Sequence, residues 1–154
     1  IKLSMEQYGT TMPDNYLTNT EKPTVSHNND PRGHAYTISN TVAVAWNDNN
    51  EEENLQRIIT QKWIANFPLS CEAWAEYRRT GYPKLFPNRV NLSNGDINTN
   101  EQVRRLIYSD TEINTNNAEL QKGIELLNQE NTGSISGDKG GTHVWWDKAG
   151  VGNF

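Results

Sequence analysis

The chain has 154 residues, with 14 basic and 19 acidic side chains and a formal net charge of −5, the size of one ordinary domain. Leu, Ile, Val and Phe fill 30 of the 154 positions, close to the ~20% at which disorder becomes a serious reading, but the small net charge and the five Trp and six Tyr argue for a folded, core-poor chain. Scattered basic residues in an acidic chain speak against nucleic acid as a partner, no apolar run approaches the ~20 residues of a membrane helix, and the single Cys71 excludes an internal disulfide and a cysteine-based zinc site.

Residues 1–9 place Ile1, Met5 and Tyr8 at i, i+4 and i+7, with Gly9 just beyond, the pattern of a helix end. Nothing caps Ile1 and no basic-then-apolar signal segment follows it. The expectation is a piece of a longer protein whose targeting region lies elsewhere. From Thr10 to about Ser39 the composition turns to Asn, Asp, Thr, Pro and Gly, with turn chemistry throughout Asn28–Gly33. A loop of this length is expected to be functional or packed against other parts of the protein. Thr41-Val42-Ala43-Val44-Ala45-Trp46 reads as one short strand, closed by Asn47–Asn50.

The next segment is the most clearly patterned. Asn50 can cap, Glu51–Glu53 favour the positive end of a helix, and Leu55, Ile58, Ile59 and Trp63 repeat at helical spacing, predicting a helix over 50–66. After Phe67-Pro68, Ser70 is the expected cap of a second helix in which Trp74, Tyr77 and Arg78 share a face and Gly81-Tyr82-Pro83 gives the stop. So short a connection predicts an antiparallel helical hairpin over 50–81, with Trp63, Trp74 and Tyr77 in the core. Beyond it, 88–100 reads as loop, Val103–Tyr108 as a short extended piece and 116–128 as a helix carrying Leu120, Ile124 and Leu127. Gly133–Gly141 reads as a flexible link and Thr142–Lys148 as an aromatic terminal segment, in which one of Trp145 and Trp146 packs down as an anchor. The fold class expected is mainly α, with long irregular loops and at most a few short strands.

Catalytic chemistry finds little to use. Cys71, at a helix start without a histidine partner, reads as a small buried apolar residue. Glycines 133, 137, 140 and 141 follow no strand and make no phosphate loop. Glu72 and Glu76 stand one helical turn apart and could flank a sugar as a glycosidase pair; the plainer reading has Glu72 reinforcing the helix start and Glu76 pairing with Arg78 or Arg79. Asp30, Asp48 and Asp96 offer oxygen ligands for calcium, but none fits the twelve-residue calcium loop, so no cofactor is expected. Asn91-Leu92-Ser93 fits a glycosylation acceptor by chance composition. Tyr16, Tyr36 and Trp46 are the candidate ligand-binding residues, because flat aromatic faces among Asn and Asp suit a sugar ring and its hydroxyls.

The string Glu72-Ala73-Trp74-Ala75-Glu76-Tyr77-Arg78-Arg79-Thr80-Gly81-Tyr82-Pro83-Lys84-Leu85-Phe86-Pro87, preceded by Ile58–Ala65, resembles the C-terminal part of the SusD/RagB-type nutrient-binding outer-membrane lipoproteins. Arg104-Arg105-Leu106-Ile107-Tyr108, the stretch Glu112–Asn117 and Thr142–Lys148 with its Trp-Trp-Asp continue the likeness in order; Ile107 stands where the family often has Pro, and 128–141 is unusually polar. The resemblance implies a helical protein with tetratricopeptide-like pairs, lipid-anchored at the outer-membrane surface through a cysteine outside this chain. Such a protein captures oligosaccharides or other nutrients, without catalysis, as a lid on a SusC-like TonB-dependent transporter. On this reading 1–154 is one C-terminal segment: helix end 1–9, long loop with a short strand 10–49, hairpin 50–81 and loop-rich part 82–154. Trp63, Trp74, Tyr77, Arg78, Arg79, Trp145 and Trp146 are then structural, with Arg78 and Arg79 expected on loop carbonyls. The alternatives are a glycoside hydrolase fragment using Glu72 and Glu76, and a purely structural module for docking the transporter.

Overall fold

The computed structural model describes residues 1–28, 35–39, 41–86, 88 and 90–147, with the side chains of 38 and 39 excepted. The turn chemistry expected over Asn28–Gly33 falls, beyond Asn28, outside the described residues, as do Asp30 and Lys148. The chain is mainly helical and divides into two compact units, one within Ile1–Phe86 and one within Pro87–Ala149.

The first unit opens with α1 (Lys2–Gln7), a 3-10 turn at Tyr16–Thr18, and an antiparallel hairpin of β1 (Thr24–His27) and β2 (Tyr36–Ser39), in register from Thr24 opposite Ser39 to His27 opposite Tyr36. These strands fall inside the stretch expected to be loop. Every β1 residue is exposed, so no apolar alternation marks it. The strand expected over 41–46 is absent. Val42 and Ala43 are buried, but the backbone bonds of this segment go elsewhere: Arg57 Nε donates to the Ala43 carbonyl at 3.0 Å and Ala45 N–H to the Asn19 carbonyl at 2.9 Å. The apolar run reflects burial beneath a helix and not pairing in a sheet.

That helix is α2 (Glu51–Ala65), capped as predicted by Asn50, whose Oδ1 accepts from Glu53 N–H at 3.0 Å. It turns through 66–69 into α3 (Ser70–Thr80). Ser70 is the first helical residue and not the cap, a position that falls to Leu69. Gly81, at φ +74°, ends α3 and returns its N–H to the Tyr77 carbonyl at 2.8 Å. Two side-chain bridges close the hairpin. Lys62 on α2 meets Glu76 on α3 at 2.7 Å, and Tyr82 Oη donates to Glu52 Oε1 at 2.7 Å, tying the end of the hairpin to its start. Burial and the bond to Glu52 push the Tyr82 phenol up to about 12.

The core of this hairpin departs from its periodicity. Ile59 and Tyr77 are buried, yet Trp63 is 42% exposed and Trp74 is half-buried, its ring covered by the Arg78 guanidinium at 3.7 Å. Trp63 sits eight residues from Leu55, which turns it about 80° away from that side chain. In its place α2 buries Asn54, Gln56 and Arg57. Arg79 bonds Glu76 at 2.6 Å where a loop carbonyl was expected, and Cys71, expected to be buried, is exposed.

The second unit is built around a buried ion pair. The 103–108 segment forms no strand; Arg104 and Arg105 N–H both reach the Gly140 carbonyl, at 2.8 and 3.2 Å. The Arg104 guanidinium, fully buried, grips both Asp147 oxygens, with Nε at 2.7 Å, while Nη1 donates to the Glu101 carbonyl at 2.9 Å. Beside it His143 is held by Glu101 at 3.2 Å and Thr132 at 3.3 Å. Two helices follow the arginine segment. Ser109 caps α4 (Asp110–Thr115), and α5 (Asn117–Glu130) buries Leu120 and half-buries Ile124 and Leu127.

The glycine-rich stretch after α5 is not a free link. A Cβ on Gly141 would stand 2.9 Å from the Asp96 backbone oxygen, and the Gly141 N–H donates to that oxygen at 2.8 Å. The glycine permits a close backbone approach. Trp146 is half-buried and Trp145 is 70% exposed, so Trp146 is the one that packs down.

Arg104→Ala should therefore cost about 3–5 kcal/mol, because the buried Asp147 carboxylate loses the guanidinium that bonds both its oxygens. The double variant Arg104→Met/Asp147→Leu should recover most of that loss, as read by urea denaturation. In the first unit, the fold favours the protonated Tyr82 phenol. Its contribution is complete below the ordinary value of 10.0 and disappears as pH rises through about 12. Tyr82→Phe should flatten the alkaline decline in stability over that window.

Candidate functional site

A cleft of about 880 Å³ lies within the first unit, walled by α1, the 3-10 turn, the 42–46 segment and one side of α2. It contains two of the three aromatic residues singled out from the sequence, Tyr16 and Trp46.

Trp46 owes its position to the turn behind it. Asn47 N–H donates to Asn54 Oδ1 at 3.1 Å, Asn54 Nδ2 returns to the Asn47 carbonyl at 2.6 Å, and Asn47 Nδ2 reaches Glu53 Oε2 at 3.1 Å. Asn49 N–H closes the turn on Asn47 Oδ1 at 3.1 Å. Arg57, underneath, binds Asn54 Oδ1 at 2.8 Å and Glu53 Oε2 at 3.0 Å. The Asn47 amide, followed by Arg57, holds the Glu53 carboxyl below its usual range. The turn is thus clipped to the first turns of α2 by three side-chain bonds, and Trp46 emerges from it 60% exposed. Asp48 and Asn49, two and three residues on, are exposed, with side chains that make no hydrogen bond among the described residues.

Tyr16 plays a different part. Half-buried in the cleft wall, it donates its hydroxyl to Gln61 Oε1 at 3.0 Å. Tyr36 is placed apart from both, on β2, packed edge-on against Phe86 at 5.2 Å and beside His27 at 6.0 Å. Gln61, Asn54 and Arg57 were missed by the sequence reading. The one signal for the last two was a polar pair at i, i+3 inside an otherwise apolar-periodic helix.

The carboxylates proposed for glycoside cleavage are not arranged for it. Both Glu76 oxygens are engaged, by Lys62 at 2.7 Å and Arg79 at 2.6 Å, and its side chain is 17% exposed. Burial pushes its carboxyl up, but the bonds from Lys62 and Arg79 outweigh that and hold it below the usual range. Such a group does not carry the proton a general acid must give at neutral pH. Glu72 is exposed, and neither residue lines the cleft.

Among the described residues no three His, Cys, Asp or Glu side chains group as metal ligands, and no helix is long and apolar enough to cross a membrane. Asp96 pairs with Lys139 at 3.2 Å. The Asn91 amide is occupied by the Ile97 carbonyl and Thr99, at 2.7 and 3.1 Å.

The family model described as SusD-like, SusD and RagB outer membrane lipoprotein, matches residues 1–147. Among solved structures, a SusD homologue from Bacteroides thetaiotaomicron is 43% identical with a TM-score of 0.79, over 96% of this chain and 31% of its own. A chitin-binding SusD homologue from Flavobacterium johnsoniae is 41% identical with a TM-score of 0.82, over 100% of this chain and 31% of its own. A homologue from Bacteroides ovatus is 41% identical with a TM-score of 0.79, over 94% and 30%. The chain thus spans about a third of the length of the structures it matches. No curated protein matches it.

The contrast between the two cleft aromatics is measurable in the free chain. Trp46→Ala should change stability by less than about 1 kcal/mol, since an exposed ring gives up little burial. Tyr16→Phe should cost about 0.5–1.5 kcal/mol for the bond to Gln61. Urea denaturation of the two variants checks both.

Proposed function

Because the chain belongs to the SusD-like family of SusD and RagB outer-membrane lipoproteins, we propose that the full-length protein captures oligosaccharides at the cell surface, leaves them chemically intact and passes them to a SusC-like TonB-dependent transporter. The observation that carries this reading within the chain is Trp46. A rigidly mounted indole, 60% exposed, is followed two and three residues on in sequence by an exposed carboxylate and an exposed amide whose side chains make no hydrogen bond among the described residues. A sugar ring presents an apolar C–H face and a rim of hydroxyls, and that combination of flat surface and adjacent acceptors and donors meets both. Presenting the platform on a turn held to α2 by three side-chain bonds keeps the ordering cost of binding small. Tyr16, with its hydroxyl committed to Gln61, lends the cleft a wall. Tyr36, on the hairpin, offers an edge held by Phe86 and is the lesser candidate.

The Flavobacterium johnsoniae relative is described as chitin-binding, so chitin oligosaccharides are the first probe, followed by a broader glycan panel. In calorimetry on the full-length protein, Trp46→Ala should weaken binding of the recognised glycan at least about tenfold, or about 1.4 kcal/mol, with an unchanged melting temperature. The glycan recovered after prolonged incubation should carry no new reducing ends. Binding by Trp46→Ala equal to the parent would remove Trp46 from the site, and steady release of reducing ends would overturn the non-catalytic reading.

A further inference from the structure

In the second unit the chain reverses at Ser93-Asn94-Gly95-Asp96. Asp96 N–H donates to the Ser93 carbonyl at 3.1 Å, and the two central residues, Asn94 and Gly95, both have positive φ, +53° and +93°. Asn-Gly is the preferred pair for such a turn. Its feet are firmly held. Ser93 N–H donates to Asn91 Oδ1 at 3.0 Å, Ile97 N–H to Ser93 Oγ at 3.0 Å, and Gly141 N–H to the Asp96 carbonyl at 2.8 Å. Its tip is not held. Asn94 and Gly95 are exposed, and neither the Asn94 amide nor the Gly95 N–H makes a hydrogen bond among the described residues. A Cβ built on Gly95 would meet nothing within 4 Å, so the tip stands in open space. Of the 21 asparagines in the chain, Asn94 alone is followed by glycine.

We propose that Asn94 is a site of spontaneous deamidation in the folded protein, converting through a cyclic imide to aspartate and isoaspartate. Asparagine is a thermolabile side chain, and the reaction needs the two groups that this turn leaves untied. The Gly95 nitrogen, having given its proton to solvent, attacks Asn94 Cγ. The new N–Cγ bond closes a five-membered ring, the Cγ–Nδ2 bond breaks, and the amide nitrogen takes a proton from solvent and leaves as ammonia. Water then opens the ring. Opening at Cγ gives aspartate; opening at the Asn94 backbone carbonyl gives isoaspartate, whose main chain runs through Cβ and Cγ and is one carbon longer. Either product adds one negative charge, two residues from the Asp96 carboxylate that pairs with Lys139 at 3.2 Å. Glycine matters because a side chain on the attacking residue would crowd the approach to Cγ. Asn91 shows the contrast: its amide is committed to the Ile97 carbonyl and Thr99, and Leu92 follows it. The bonds at the feet of the turn do not involve Asn94 or Gly95, so the unit stays folded while its surface charge changes. Trp46 lies in the other unit, and the two readings stand or fall separately.

The test incubates the full-length protein in mildly alkaline buffer, natively and in urea. The tryptic peptide Val90–Arg104 is then followed by mass spectrometry for a gain of about 1 Da. Fragment ions should place the gain on Asn94 and not on Asn91, Asn98 or Asn100, and an isoaspartyl methyltransferase should methylate part of the product. The native rate is expected to lie within about tenfold of the unfolded chain's, since folding gives an exposed turn tip little protection. Gly95→Ala should slow conversion at least about tenfold. The positive φ strains that variant, so Asn94→Gly, which keeps the turn and removes the amide, serves if Gly95→Ala fails to fold: the gain should vanish from the peptide. Conversion confined to the urea sample would overturn the proposal by showing that the native turn protects the amide. A gain located on another asparagine of the peptide, or an undiminished rate in folded Gly95→Ala, would overturn it as well.

Discussion

A guanidinium taken out of water must have its donors met by protein, and both units of this chain are organised around that requirement. Arg57 reaches one backbone carbonyl, one amide oxygen and one carboxylate; Arg104 reaches a carboxylate in both its oxygens and a backbone carbonyl. With so few large aliphatic residues available, the interior is assembled from satisfied polar groups as much as from apolar contact. Such cores derive their definition from geometry. A carbonyl or carboxylate placed an ångström away no longer answers the donor, whereas an aliphatic contact would merely loosen.

This explains why irregular segments hold their shape. The 41–50 stretch has no ladder partner, yet its backbone is fixed because Arg57, Asn54 and Glu53 bind it from the helix. The 131–147 stretch is likewise fixed by Asn131, which accepts from Gly133 and His143 N–H groups at 3.0 and 3.1 Å and donates to the Ile135 carbonyl at 2.8 Å. A helix that turns polar side chains inward in this way leaves some aliphatic ones in water, and on α2 Ile58 and Ile64 are exposed while Ile59 is buried. The mount of Trp46 and the exposure of these two isoleucines thus follow from one choice of which residues α2 turns inward.

The parts of the fold legible in the sequence were those written in local chemistry. Asn50, the three glutamates and the helical repeat gave α2 to within a residue at either end, Gly81 gave the stop of α3, and Leu120, Ile124 and Leu127 gave the line of α5. What was illegible depended on partners distant in sequence. The β1–β2 hairpin leaves one strand exposed on both faces, so it has no alternation to read. Val42 and Ala43 carry a strand's composition but are covered by a helix that binds their backbone through a side chain. Of the glycines of 133–141, which looked like freedom, Gly133, Gly140 and Gly141 are close approaches. Of the site, the aromatic residues were visible because Trp and Tyr are conspicuous among polar neighbours. That Tyr16 and Trp46 would share a cleft, with Tyr36 apart, depended on the path of the chain. The role of Gln61 was hidden because a glutamine on a helix carries no mark of its partner.

The buried pair of Arg104 and Asp147 spans 43 residues, and His143 and Glu101 span 42, whereas Lys62 and Glu76 span 14. On a ribosome these distances become a timetable. The α2–α3 hairpin can close soon after α3 has emerged, because its contacts are local. The second unit must keep Arg104 hydrated until Asp147 is delivered near the end of this segment, since closing earlier would bury a charge without its counterpart. The anionic tip of the Trp-Trp-Asp sequence thus acts as a late keystone, and a nascent chain interrupted before it leaves this unit open to proteases that the finished one excludes.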